Sequence, residues 1–194
     1  MKKRFLKVIA LGCLGVAVVA CAPKNNQKAE NQTKTENTME AQNAPYVKKY
    51  TNKDFYKDGK LQADVALKAY EEMLAHYGIK LSKHMRDNLW ITDFELGDFE
   101  NVGMAGFFWV NDAEHGYFAH EIYLLPGQMI TEHRHVATDK PAKHESWMVN
   151  KGYIYNFSTG EETPNAPALP KCQDGYITAK HWVKQNPGEI LPLN

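Results

Sequence analysis

Two histidines one residue apart, His133 and His135, with Glu145 further along, are the residues of this chain best suited to hold an ion. They lie in the run Gly127-Gln-Met-Ile-Thr-Glu-His133-Arg-His135; nine residues precede Glu145 and six more precede Gly152. Read as a strand, residues 129–135 would project positions i and i+2 to one face, so both imidazoles could reach the same ion. A carboxylate from the next strand could complete one side. Two imidazoles and a carboxylate suit Mn, Fe, Co, Ni or Zn, and ligand identity alone separates these poorly. His144 is the rival to Glu145, and strand alternation lets only one of these neighbours point inward. Glu132, beside His133, should alternate outward and is not assigned as a base.

The surrounding pattern says which elements must position these groups. Between Lys60 and Tyr77, apolar Val65, Ala66, Ala69, Tyr70, Met73, Leu74 and Tyr77 recur at three- and four-residue spacing, with Gly78 just beyond, which predicts an amphipathic helix packed on a sheet. Asp58-Gly59 ahead of it supplies turn or capping chemistry. After Trp90 the pattern shortens to β-rich runs at 106–110, 117–125, 129–135, 146–149, 153–157, 175–183 and 189–193, separated by turn residues. Such spacing indicates an all-β sandwich or barrel. Residues 160–170, with three prolines, read as a loop, and there is no solenoid or propeller repeat. Trp109, Trp147 and Trp182 read as core aromatics and stay outside the site.

Gly, five residues, His-x-His, a gap, Glu, six residues and Gly resembles the first metal-binding motif of the cupin β-barrels. The fold expected is therefore mainly β, a cupin double-stranded β-helix (jelly-roll barrel) with an N-terminal helix. The six-residue step to Gly152 selects Glu145 over His144. The departure is the gap between His135 and Glu145, longer than usual by five residues, which reads as an enlarged hairpin loop around 137–142; sheets tolerate this at small entropic cost.

A narrower resemblance, to the D-lyxose ketol-isomerases, runs from about Leu89 to Phe157. It is carried by Leu89-Trp-Ile-Thr-Asp-Phe-Glu-Leu-Gly-Asp-Phe99, by Gly127-Gln128 through His135, and by Lys143-His144-Glu145. It implies His133, His135 and Glu145 as ligands of a divalent metal, usually Mn²⁺, and Lys143 as a polar catalytic group facing a small-molecule sugar. The implied reaction interconverts an aldose and a ketose, which needs a polarised carbonyl and a base near the migrating hydrogen. Lys143 could stabilise enediolate charge. The family also continues beyond a segment similar to 187–192 into strands that bring a fourth histidine ligand, so a domain ending at Asn194 is expected to be incomplete at its C-terminus. At Phe118-Ala119-His120-Glu121 the isomerases carry a Glu-Lys pair, so no role transfers there; His120 and Tyr123 are candidates for lining the pocket or the core in equal measure. Two other classes stay open: a non-catalytic cupin that binds a carbohydrate or metal, and a cupin oxygenase.

The N-terminus reads as targeting. Basic Met1-Lys2-Lys3-Arg4 precedes the apolar stretch 5–20, too short for a stable membrane span, and Val18-Val19-Ala20-Cys21 resembles a bacterial lipobox. The expected organisation is a signal peptide over 1–20, a polar tether over 21–44 with a lipid on Cys21, and a cupin-like domain over 45–194. Residues 22–44 are almost wholly Asn, Gln, Lys, Glu, Thr and Ala and cannot order themselves by burial. Removing Lys2, Lys3, Arg4 and Lys7 leaves 19 basic and 23 acidic residues, net −4, so no basic field attracts nucleic acid. With Cys13 gone and Cys21 acylated, Cys172 stands alone and no internal disulfide forms. The location expected is the cell envelope, anchored to a bacterial membrane, and a homodimer is compatible with this chain. Replacing Cys21 by Ser should release the protein from the membrane fraction; unaltered retention would reject the anchor.

Overall fold

The computed structural model describes residues 45–139 and 141–193; the expected signal peptide, the tether and Cys21 lie outside them. The apolar periodicity forms helix α2 (Ala63–His76), after a one-turn helix α1 (Asn52–Phe55) and before a short α3 (Lys83–Asp87). Ala66, Ala69, Tyr70, Met73 and Leu74 form the buried stripe of α2. The helix ends in a Schellman pattern: Gly78, at φ 74°, donates to Ala75 O, and Ile79 donates to Leu74 O. Asp58 and Gly59, both at positive φ, are the two-residue turn of the hairpin β1 (Tyr56–Lys57) and β2 (Lys60–Leu61), so their role is the turn and not the cap. Among the described residues no helix is long and apolar enough to cross a membrane.

Strands β3 (Trp90–Thr92), β4 (Met104–Asp112) and β5 (Tyr117–Tyr123) form one antiparallel sheet in that order. Cross-strand partners share a face, which gives the sheet two characters. Ile91, Ala105 and Tyr123 pair across it and pack on the helix side, where Phe55, Tyr70, Phe99 and Leu125 are fully buried. Burying each large side chain of that cluster is worth roughly 1.5–3 kcal/mol. Trp90, Gly106 and Ile122 pair on the opposite face, alongside Phe108 and His120. The register slips between Phe108 and Val110, a bulge that leaves Trp109 64% exposed rather than in the core.

From Glu145 onward the strands form a ribbon. Strand β6 (Glu145–Met148) pairs antiparallel with β9 (Ile190–Leu193), and β7 (Ile154–Ser158) with β8 (His181–Gln185). The two registers differ by a single residue, so 145–158 runs against 181–193 as one antiparallel pair interrupted at the Val149 to Pro187 bridge. The fold is mainly β with few helices, as expected, but among the described residues the sheets stay separate and no closed barrel forms. Residues 160–170 are a loop.

One expected strand is absent and another starts late. Residues 130–135 have no regular structure, Met129 alone bridging Val102, and β8 begins at His181 rather than near 175. The Glu132 carboxylate accepts from Thr178 N at 2.6 Å, Thr178 Oγ1 at 2.5 Å and Ala179 N at 3.0 Å. At Thr178 and Ala179 a side chain thus takes the amides that a strand ladder would have used.

The start of that segment is held by Gln128, buried at 8% exposure. Leu125-Pro126-Gly127-Gln128 is a turn, with Gly127 at φ 82° and Gln128 N donating to Leu125 O. Gln128 Oε1 then accepts from Tyr70 Oη at 2.7 Å and Leu125 N at 2.8 Å, while Nε2 donates to the Phe99 carbonyl. One amide thus joins the helix, the loop before β4 and the turn. Gln128→Leu leaves all three partners buried and unpaired, and should lower unfolding free energy by about 3 kcal/mol or more in denaturant titration. A loss below about 1 kcal/mol would show the amide is dispensable.

Candidate metal and sugar site

His133 and His135 come together without a strand. Their rings lie 5.3 Å apart, centroid to centroid, and each is tied to the backbone: His133 Nδ1 is 2.9 Å from Thr131 O, and His135 Nδ1 is 3.1 Å from Lys143 O. A carbonyl oxygen only accepts, so in both rings Nδ1 carries the hydrogen and, in the neutral ring, Nε2 keeps its lone pair. This is the arrangement by which backbone carbonyls orient metal-binding imidazoles. His135 Nε2 lies 3.9 Å from Glu145 Oε2, and Lys143 Nζ lies 2.5 Å from Glu145 Oε1. The Glu145 side chain is only 9% exposed, whereas His144 is exposed, so strand β6 turns Glu145 inward as alternation requires. Among the described residues no three His, Cys, Asp or Glu side chains are grouped closely enough to close a metal cage. The donor types of His133, His135 and Glu145 are those that suit a borderline divalent ion.

The same ion pair borders the second face of the sheet. Lys143 Nζ sits 4.5 Å over the Phe118 ring. His120 stacks on Phe108 at 5.1 Å and 26°, meets Phe118 edge-on at 5.2 Å, and has Trp90 and Trp147 each at 6.1 Å. Gly106 makes room for this: a Cβ there would lie 2.0 Å from the Trp90 ring. Burial pushes the His120 imidazole below its ordinary value near 6.5, Glu145 acting against that and Lys143 with it.

Lys143, Glu145 and His135 thus lie side by side and His133 lies beside His135, but the three expected ligands do not close into one group. His120 joins them on the site face, while Tyr123 points the other way and donates to Glu121 at the edge of the core. Glu132 is spent on Thr178 and Ala179, whose hydrogen bonds hold its carboxyl below the usual range. Trp147, expected in the core, lies on the site face, and the sequence signal for this is that it stands two residues beyond Glu145 on β6, hence on the same face. Trp109 is exposed, and Trp182 packs against Tyr155 and donates to Thr163 O, both away from this group.

The chain is 36% identical over 128 residues to a D-lyxose/D-mannose isomerase of Thermosediminibacter oceani, an overlap covering 65% of this chain and 69% of that protein. It is 30% identical over 126 residues to a D-lyxose ketol-isomerase of a Thermofilum species, covering 63% of this chain and 69% of the relative. No protein-family model matches the sequence.

Burial of His120 has a stability consequence whose sign is fixed. As pH falls through about 6.5, an unfolded chain binds a proton that the folded imidazole resists, so stability drops on acidification. His120→Phe should flatten the pH dependence of unfolding free energy below neutrality relative to wild type. Parallel curves for the two proteins would show that His120 does not resist protonation in the fold.

Proposed function

The chain belongs to the D-lyxose ketol-isomerase family, and from that premise we propose that it is a metal-dependent aldose–ketose isomerase. The names of the relatives support sugar isomerisation, with D-lyxose and D-mannose the first substrates to try. The observation that carries the metal dependence is the pair of imidazoles whose Nδ1 atoms are tied to Thr131 O and Lys143 O beside Glu145. A bound divalent ion, Mn²⁺ first and Zn, Fe, Co or Ni as alternatives, would polarise the oxygens at C1 and C2 of an open-chain sugar. His133, His135 and Glu145 would hold it.

The chain's own groups then have separable tasks. Lys143 keeps its ammonium against Glu145 and over Phe118, where a positive charge meets the negative charge that develops on enediol oxygens. The backbone carbonyls of Thr131 and Lys143 hold the imidazole tautomers. The Phe118 ring covers one side of Lys143, where the ammonium's interactions are screened less than in open water.

The architecture favoured is a cupin double-stranded β-helix, because a ribbon of 145–158 against 181–193 is how such a fold winds. The lipobox-like Cys21 and polar tether support a lipid-anchored protein of the cell envelope.

The full chain, loaded with Mn²⁺ and given D-lyxose or D-mannose, should form the corresponding ketose. Glu145→Gln should weaken metal binding and lower kcat/KM by about 10–100-fold or more. Lys143→Met should lower kcat while metal affinity holds. A metal-loaded wild-type chain that converts no aldose would contradict the isomerase reading and leave a binding module.

A further inference from the structure

The site face of the sheet carries more buried polarity than its packing uses. Among the described residues four buried side-chain polar atoms have no hydrogen-bond partner, and three of them, Trp90 Nε1, His120 Nδ1 and Trp147 Nε1, fall in one aromatic box. The fourth, Tyr46 Oη, lies in the core on the helix side. Native folds leave few such atoms, because each loses its water without gaining a partner. Their concentration at one place, bordered by Lys143 over Phe118, marks a place shaped for something other than packing.

The chemistry of the box matches a polyhydroxy chain. Aromatic rings offer flat apolar faces to C–H bonds. Each indole N–H donates, and a neutral imidazole nitrogen accepts or donates according to its tautomer, so the three atoms together answer hydroxyls that do both. Phe108, 39% exposed and stacked on His120, is the wall of the box that meets solvent. We propose that this box is the sugar-reading subsite, with His120 and Trp147 as its hydrogen-bonding residues. The assignment rests on the isomerase reading of the adjoining ion site, which it extends to the distal hydroxyls of the sugar.

The test uses the full chain loaded with Mn²⁺ and two variants. Trp147→Phe keeps a ring and removes the N–H; His120→Leu removes the imidazole. KM for the preferred aldose should rise about tenfold in each while kcat changes less than about threefold, the pattern of a lost binding contact. Trp182→Phe, in β8, should leave both constants unchanged. In parallel, tryptophan fluorescence is titrated with the sugar alcohol of the same chain, which binds without turnover; saturation should weaken by a similar factor in both variants. Unchanged KM and unchanged titrations in a folded Trp147→Phe protein, judged by near-UV circular dichroism, would overturn the subsite. If wild type converts no aldose yet binds the alcohol in a variant-sensitive way, the isomerase reading falls and the subsite stands.

Discussion

The buried amide of Gln128 is the constraint on which the rest of this molecule depends. The chemistry-bearing segment after it has almost no secondary structure, so its backbone polar groups cannot look to a ladder for partners. Gln128 fixes where the segment begins by joining α2, the Phe99 carbonyl and the turn at Pro126-Gly127. Glu132 fixes its far side by capturing the amides at Thr178 and Ala179. Between and beyond these two clasps, carbonyl oxygens at Thr131 and Lys143 set the orientation of the two histidines. Side-chain amides and carboxylates thus do what pairing does elsewhere in the fold, and the site inherits its geometry from them.

One sheet serves both stability and chemistry. Its helix-side face is closed by Phe55, Tyr70 and Phe99, with Phe55 and Phe99 edge-on at 4.9 Å. Its other face presents Trp90, Phe108, His120 and Phe118 toward the β6 residues Glu145 and Trp147. Gly106 shows how tightly the two roles are joined. The absence of a side chain there lets the Trp90 ring lie on the strand, so a change at one core-adjacent backbone position would be felt directly in the aromatic box.

What could be read in the sequence was whatever repeats. Helix α2 is legible because five buried residues keep one face, and β5, β6 and β9 because turn residues bracket them. The early start expected for β8 near 175 was not legible, because the amides of Thr178 and Ala179 are taken by the carboxylate of Glu132, and no pattern announces a partner 46 residues away. The nearness of His133 to His135 was legible through spacing, but strand alternation is not its cause, because Nδ1 bonds to carbonyls orient the two rings. Trp147 was legible through Glu145 two residues earlier. His120 was not, since either face of β5 could have been the inner one until the register with Gly106 and Phe108 was known.

The central claim is that backbone carbonyls preset the tautomers of both imidazoles. Long-range proton–nitrogen NMR correlation on uniformly ¹⁵N-labelled, metal-free protein, at a pH where the rings are neutral, reads the tautomer of each histidine directly. His133 and His135 should both show a protonated Nδ1 and a bare Nε2. The opposite tautomer at either residue, with the hydrogen on Nε2, would contradict the account.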